Sequence, residues 1–124
     1  MARIIIVDDD ELTVDLVRAA LEREGHIVGA LPDGTSVTDV AIHKQPDLMI
    51  LDCSMPHKGG VEALRELRQS SAHAMPVVML TGRTGKSDER IAFEAGADEY
   101  LRKPVDPDKL AVCVATLVEQ ARAA

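Results

Sequence analysis

Short apolar runs, too brief for a helix, alternate five times with longer runs of helical periodicity, and this rhythm constrains the fold more than any other property of the chain. It starts at Arg3-Ile4-Ile5-Ile6-Val7, whose β-branched residues favour extended backbone. From Glu11 to about Glu24, Leu12, Leu16, Ala20 and Leu21 recur at helical spacing, with Asp9 or Asp10 placed to cap the helix and Gly25 to end it. Strand two spans His26 to Leu31, and Pro32-Asp33-Gly34 turns the chain into a weaker helix ending near His43. Asp47 to Asp52, apolar through Leu48-Met49-Ile50-Leu51, reads as a strand buried on both faces and therefore central. A third helix is expected from Gly60 to Gln69, a fourth strand over Pro76-Val77-Val78-Met79-Leu80, and a fourth helix from Lys86 to Ala95, stopped by Gly96. Asp98 to Arg102 is the fifth strand, and the fifth helix follows Pro107 with Leu110, Val114, Leu117, Val118 and Ala121 on one stripe.

Strict alternation with short connections implies a five-stranded parallel sheet with right-handed crossovers and helices on both faces, a three-layer doubly wound α/β domain of (βα)₅ form. With 124 residues the chain has room for one core, so residues 1–124 are expected to form a single domain. The net charge of −7 opposes contact with a polyphosphate backbone, and no Lys/Arg cluster offsets it. Apolar stretches of about four to six residues are too short to span a bilayer, and no cleavage signal precedes the first strand; a cytoplasmic location is the expectation. Cys53 and Cys113 form neither a CxxC pair nor metal-ligand spacing, so both are expected as free thiols.

Open sheets of this type bind ligands beyond the carboxyl ends of their strands. Those positions hold Asp8-Asp9-Asp10 after strand one, Asp52 after strand three, Thr81 after strand four and Lys103-Pro104 after strand five, while strand two contributes no such group. If these ends meet, three carboxylates, a hydroxyl and an ammonium converge. Two carboxylates about 5 Å apart repel by roughly 3 kcal/mol at an effective dielectric near 20, so the cluster calls for a hard cation. An all-oxygen site sharing its metal with a phosphate is the habit of Mg²⁺. A lysine and a hydroxyl opposite the metal suit a transferring phosphoryl group, whose charge spreads over three oxygens, and the remaining carboxylate serves as nucleophile.

Ile4-Ile5-Ile6-Val7-Asp8-Asp9-Asp10 and Asp47-Leu48-Met49-Ile50-Leu51-Asp52-Cys53-Ser54-Met55-Pro56 resemble the two-component response regulator receiver domain, of the chemotaxis-receiver superfamily. Met79-Leu80-Thr81-Gly82 and Ala95-Gly96-Ala97-Asp98-Glu99-Tyr100-Leu101-Arg102-Lys103-Pro104 resemble the same family's later motifs, so the similarity runs from about Arg3 to Val118. The resemblance implies strand order 2-1-3-4-5. It implies Asp52 as phosphoacceptor, Asp9 as direct metal ligand, Asp8 as an acid acting through metal-bound water, and the Ser54 backbone carbonyl as third protein ligand, with Mg²⁺ as the metal and Mn²⁺ able to substitute. It further implies Thr81 as the hydroxyl turning toward the phosphoryl group, Lys103 as its paired cation, Tyr100 as an aromatic switch whose ring moves inward after phosphorylation, and a cis Lys103–Pro104 bond. Ser54 and Arg83 match positions that tune hydrolysis of the acyl phosphate. Lys58 and Gly59 depart from the family's usual apolar and acidic residues. The implied function is a phosphorylated signalling switch, not an enzyme in the ordinary sense. Its partners are a sensor histidine kinase or phosphotransfer protein and a target or output domain reading the helix-four, strand-five, helix-five face. Neither nucleic acid nor membrane is contacted directly.

Simpler readings stand beside these. Asp10 serves as a helix cap, and Tyr100, as a bare residue, is half-buried packing. His26, His43, His57 and His73 share no spacing and read as surface residues. A haloacid-dehalogenase-type phosphatase with Asp8 as nucleophile would use the DxD of Asp8-Asp9-Asp10, but needs an acidic pair after the lysine, whereas Asp98 and Glu99 precede Lys103. Gly82-Arg83-Thr84-Gly85-Lys86-Ser87 ends like a phosphate-binding loop, but Leu80 stands where its first glycine is required. Helix five runs on to Ala124 without output-domain sequence, which hints at a domain acting alone by docking.

Overall fold

The computed structural model describes residues 1–82 and 86–124, without the side chains of 86 and 87. Its elements follow the expected rhythm: β1 (Arg3–Val7), α1 (Glu11–Glu22), β2 (Ile27–Leu31), a single 3₁₀ turn (Gly34–Ser36), α2 (Val37–Lys44), β3 (Leu48–Asp52), α3 (Gly60–Arg68), β4 (Val77–Thr81), α4 (Lys86–Ala95), β5 (Glu99–Arg102) and α5 (Pro107–Ala123). All strand pairs are parallel, in the order β2-β1-β3-β4-β5. Every residue of β3 and β4 is buried, which is why those segments are continuously apolar: each has a helical layer on both faces.

Alternation along the strands divides the core in two. Ile4, Ile6, Leu48, Ile50, Val78 and Leu80 pack with α1 and α5 through Val17, Leu21, Leu110, Val114 and Val118. Val7, Met49, Leu51, Val77 and Met79 point the other way, onto α2, α3 and α4 through Val37, Ala41, Leu64, Leu67 and Ala92. Capping matches local chemistry. The Asp10 carboxylate accepts from the Leu12 N–H and the Thr13 hydroxyl at the start of α1. At its end, Gly25 at φ +89° lets its own N–H reach the Glu22 carbonyl and the His26 N–H reach the Leu21 carbonyl. Gly96 at φ +113° ends α4 in the same way, through Phe93 and Ala92.

One helical face departs from expectation. Leu12 and Leu16 are exposed, by 80% and 36%, whereas Ala20 and Leu21 are buried as expected, together with Val17. A 3.6-residue period admits both stripes; the sheet accepts the one carrying Val14 and Val17, seven and four residues before Leu21. Leu117 on α5 is partly buried against the core, whereas Ala121 is exposed.

The close approach of α3 to β3 depends on Gly60, where a Cβ would overlap the Asp52 carbonyl oxygen. Gly60→Ala must therefore push α3 off the end of β3. It is expected to cost about 2–3 kcal/mol in urea unfolding, as overpacked cores do.

Candidate functional site

Parallel register brings the functional side chains to one rim. Val7 lies level with Leu51, Asp52 with Leu80 and Thr81 with Arg102, so the residues at and just beyond these ends become neighbours despite their distance in the chain. Asp8 is buried after β1; its N–H donates to the Leu31 carbonyl, and its Oδ1 accepts from the Asp10 N–H at 2.9 Å. Asp9 is exposed, and Asp52 closes β3 at 5% exposure. Carboxylate oxygens of Asp8, Asp9 and Asp52 all lie within 4.8 Å of one another. Lys103 reaches in from the end of β5, with Nζ 2.9 Å from Asp8 Oδ2 and 3.4 Å from Asp52 Oδ1. Its N–H donates to the Thr81 carbonyl, and the Lys103–Pro104 bond is cis.

Charge in this cluster is incompletely balanced. Burial and then the Asp8 charge push the Asp52 pKa up to about 6, against the opposing pull of Lys103 and of the Ser54 backbone N–H. Burial works against the Lys103 ammonium, but the hydrogen bond to Asp8 and the two facing carboxylates outweigh it and raise its pKa. Three carboxylates thus face one ammonium. The donor set, all oxygen and all anionic, fits a small hard cation held by Asp8, Asp9 and Asp52.

The remaining expected residues are spread around this centre. Thr81 is buried at the end of β4, and its backbone is tied to Lys103. Ser54 is exposed at the rim. Tyr100 lies on the α3–α4 side of β5 at 9% exposure, its ring centroid 6.4 Å from that of Phe93. Among the described residues its hydroxyl has no hydrogen-bond partner, a condition costing roughly 1–3 kcal/mol for a buried polar group. Arg83 lies outside the described residues. Cys53 and Cys113 form no disulfide among the described residues. No helix among the described residues is long and apolar enough to cross a membrane.

Sequence reasoning passed over two features of the rim. His57 has φ +68°, and the Lys58 N–H closes back onto the Pro56 carbonyl at 2.8 Å, a tight three-residue turn beside the carboxylates. With Asp33 it lines a cleft of about 580 Å³ that opens onto Asp8 and Asp9. Nothing in the bare sequence marks a histidine for positive φ. On the other side of Lys103, Leu12, Leu16 and Val105 line a second cleft of about 390 Å³. The exposed side of the α1 stripe is the signal for it, legible only once the buried side is known.

A model of the response regulator receiver domain family matches residues 4–115 of the chain. Solved structures agree. A two-component response regulator of the LuxR family from Aurantimonas shares 30% identity and superposes with a TM-score of 0.88, covering 97% of this chain and 86% of its own. Chemotaxis protein CheY4 from Vibrio cholerae shares 28% identity at a TM-score of 0.86, covering 94% and 98%. The receiver domain of a signal transduction histidine kinase from Syntrophus aciditrophicus shares 27% identity at 0.88, covering 97% and 92%.

The raised pKa of Asp52 has a definite sign. Folded protein holds this proton more tightly than unfolded chain, so the stabilisation is complete below about pH 4 and is lost as pH rises through about 6. In EDTA, Asp52→Asn should therefore raise the urea midpoint above that of the wild type at pH 8, and the gain should vanish at pH 4.

Proposed function

Because the chain belongs to the response regulator receiver domain family, a component of two-component signalling, we propose that it is a switch driven by transfer of a phosphoryl group to Asp52. The observation that carries this reading is the Lys103 ammonium set between a fully buried Asp8 side chain and a slightly open Asp52. The nucleophile must be reachable, and of the two carboxylates on Lys103 only Asp52 has side-chain exposure. That same difference disfavours a phosphatase with Asp8 as nucleophile.

The reading takes residues 1–124 as one cytoplasmic receiver domain. Asp8, Asp9, Asp52 and the Ser54 backbone carbonyl are the proposed ligands of Mg²⁺, or of Mn²⁺ in its place. The bound metal supplies neutralisation of the phosphoryl oxygens. An Asp52 carboxylate oxygen attacks phosphorus as the bond to the donor breaks; with a phosphohistidine on a sensor kinase or phosphotransfer protein, that bond is P–N and its electron pair returns to the imidazole. Lys103, already aimed at Asp52, balances the charge of the transferring group. The Thr81 hydroxyl accompanies the phosphoryl group afterwards, and Tyr100, whose hydroxyl has no partner among the described residues, is the side chain whose position responds. The α4–β5–α5 face then presents the change to a target protein or output domain. Ser54 and Arg83 are the proposed determinants of the acyl phosphate's lifetime.

Labelling tests the assignment. With Mg²⁺ and acetyl phosphate, the wild type is expected to acquire one base-labile phosphoryl group on Asp52. Asp52→Asn should abolish it, and Lys103→Ala should slow it by about 10²-fold, the scale of losing one charge-stabilising donor. Phosphorylation of Asp8, or full-rate labelling of Asp52→Asn, overturns the reading.

A further inference from the structure

The pole opposite the site holds a histidine with a structural bond of its own. The Ala2 N–H donates to His26 Nδ1 at 3.0 Å, so the imidazole is neutral there and carries its proton on Nε2. Ala2 is 1% exposed, and its carbonyl accepts from the Ile27 N–H, locking the chain start beside the first residue of β2. The preceding carbonyl, that of Met1, accepts from Arg122 Nη2 at 2.8 Å in the last turn of α5. Arg122 also lies 3.6 Å from Asp47 Oδ2, which accepts the Arg3 N–H at 2.7 Å. His26 therefore stands at the head of a chain of contacts joining β2, the first residues, α5 and the approach to β3.

We propose that His26 is a proton-operated latch: protonation of Nδ1 releases Met1 and Ala2 and, through the Met1 carbonyl, loosens the last turn of α5. A proton on Nδ1 removes the acceptor and sets one N–H against another, so bond and protonation exclude each other. Charged groups face the ring from each packed element. The Met1 amino group and Arg122 oppose its protonation, while Glu24 from the preceding turn and Asp47 from the α2–β3 connection favour it. Burial comes first among these influences and, with the amino group, leaves the ring below its ordinary pKa near 6.5. A histidine with a lowered folded-state pKa contributes stability that is complete above about 6.5 and is lost as pH falls through the folded value. The latch is thus closed at neutral pH and opens on acidification. It stands apart from the Asp52 chemistry, and its test does not depend on phosphorylation.

Nitrogen-15 NMR of the full chain reads both states. At about pH 7.5 the His26 ring should report an unprotonated Nδ1. Between about pH 7.5 and 5, the amides of Ile27 and of the last turn of α5 should lose several-fold in protection after correction for intrinsic exchange. His26→Gln, which keeps an acceptor that does not titrate, should hold its protection across the range. His26→Phe should show low protection throughout. A protonated Nδ1 at neutral pH, unchanged wild-type protection, or the same acid-induced loss in His26→Gln overturns the proposal, and the comparison of wild type with His26→Gln stands even where His26→Phe fails to fold.

Discussion

The Lys103 ammonium, 2.9 Å from Asp8 and 3.4 Å from Asp52, is the contact on which the functional pole depends. Without it, two buried carboxylates would face each other with nothing between them, a repulsion of roughly 3 kcal/mol at about 5 Å even with an effective dielectric near 20. One ammonium cannot balance three acids once Asp9 is included. Burial and then the Asp8 charge displace the Asp52 pKa to about 6 despite the facing Lys103, so the cluster is one that a cation could further neutralise.

The sheet produces this arrangement through burial rather than through any local motif. Both faces of β3 and β4 are covered by helices, so a polar side chain belonging to those strands can sit only at their ends. Parallel pairing sends all carboxyl ends to one rim, and the register places Asp52 level with Leu80 and Thr81 level with Arg102. Gly60 then lets α3 start directly against the Asp52 carbonyl, which fixes the strand end from below.

Much of this was legible in the sequence because it depends on periodicity and on the identity of strand-end residues. Alternating runs imply parallel strands, and Asp8, Asp9, Asp52 and Lys103 follow apolar runs whose ends must converge. The strand order itself came from family resemblance, since alternation alone admits several orders. What escaped was set by tertiary choices between locally equivalent options. Leu12 and Leu16 fit a helical stripe with Leu21 as well as Val14 and Val17 do, and only the sheet's position decides between them. His57 adopts positive φ because the turn after Pro56 requires it, without the glycine or asparagine that would have announced it. His26 reads as a surface histidine until Ala2 is seen donating to its ring.

The two poles of the domain differ in how completely the protein answers its own polar groups. Away from the site, Arg68 donates to the carbonyls of His73, Met75 and Gly96 and to the Asp98 carboxylate, binding the end of α3 to both neighbouring connections. Asp98 in turn accepts the Val77 N–H at the start of β4. At the rim the reverse holds, since carboxylates outnumber the cation among them, and on β5, level with Met79, the Tyr100 hydroxyl is buried without a partner among the described residues. Groups bonded like Arg68 and Asp98 resist rearrangement, because any movement must break bonds before it makes others. A pole with unmet demands can gain contacts when a ligand arrives. Response to a ligand arriving at the site is therefore expected to be concentrated at the rim and in the elements that touch it, while the far ends of β3 and β4 hold the sheet in register.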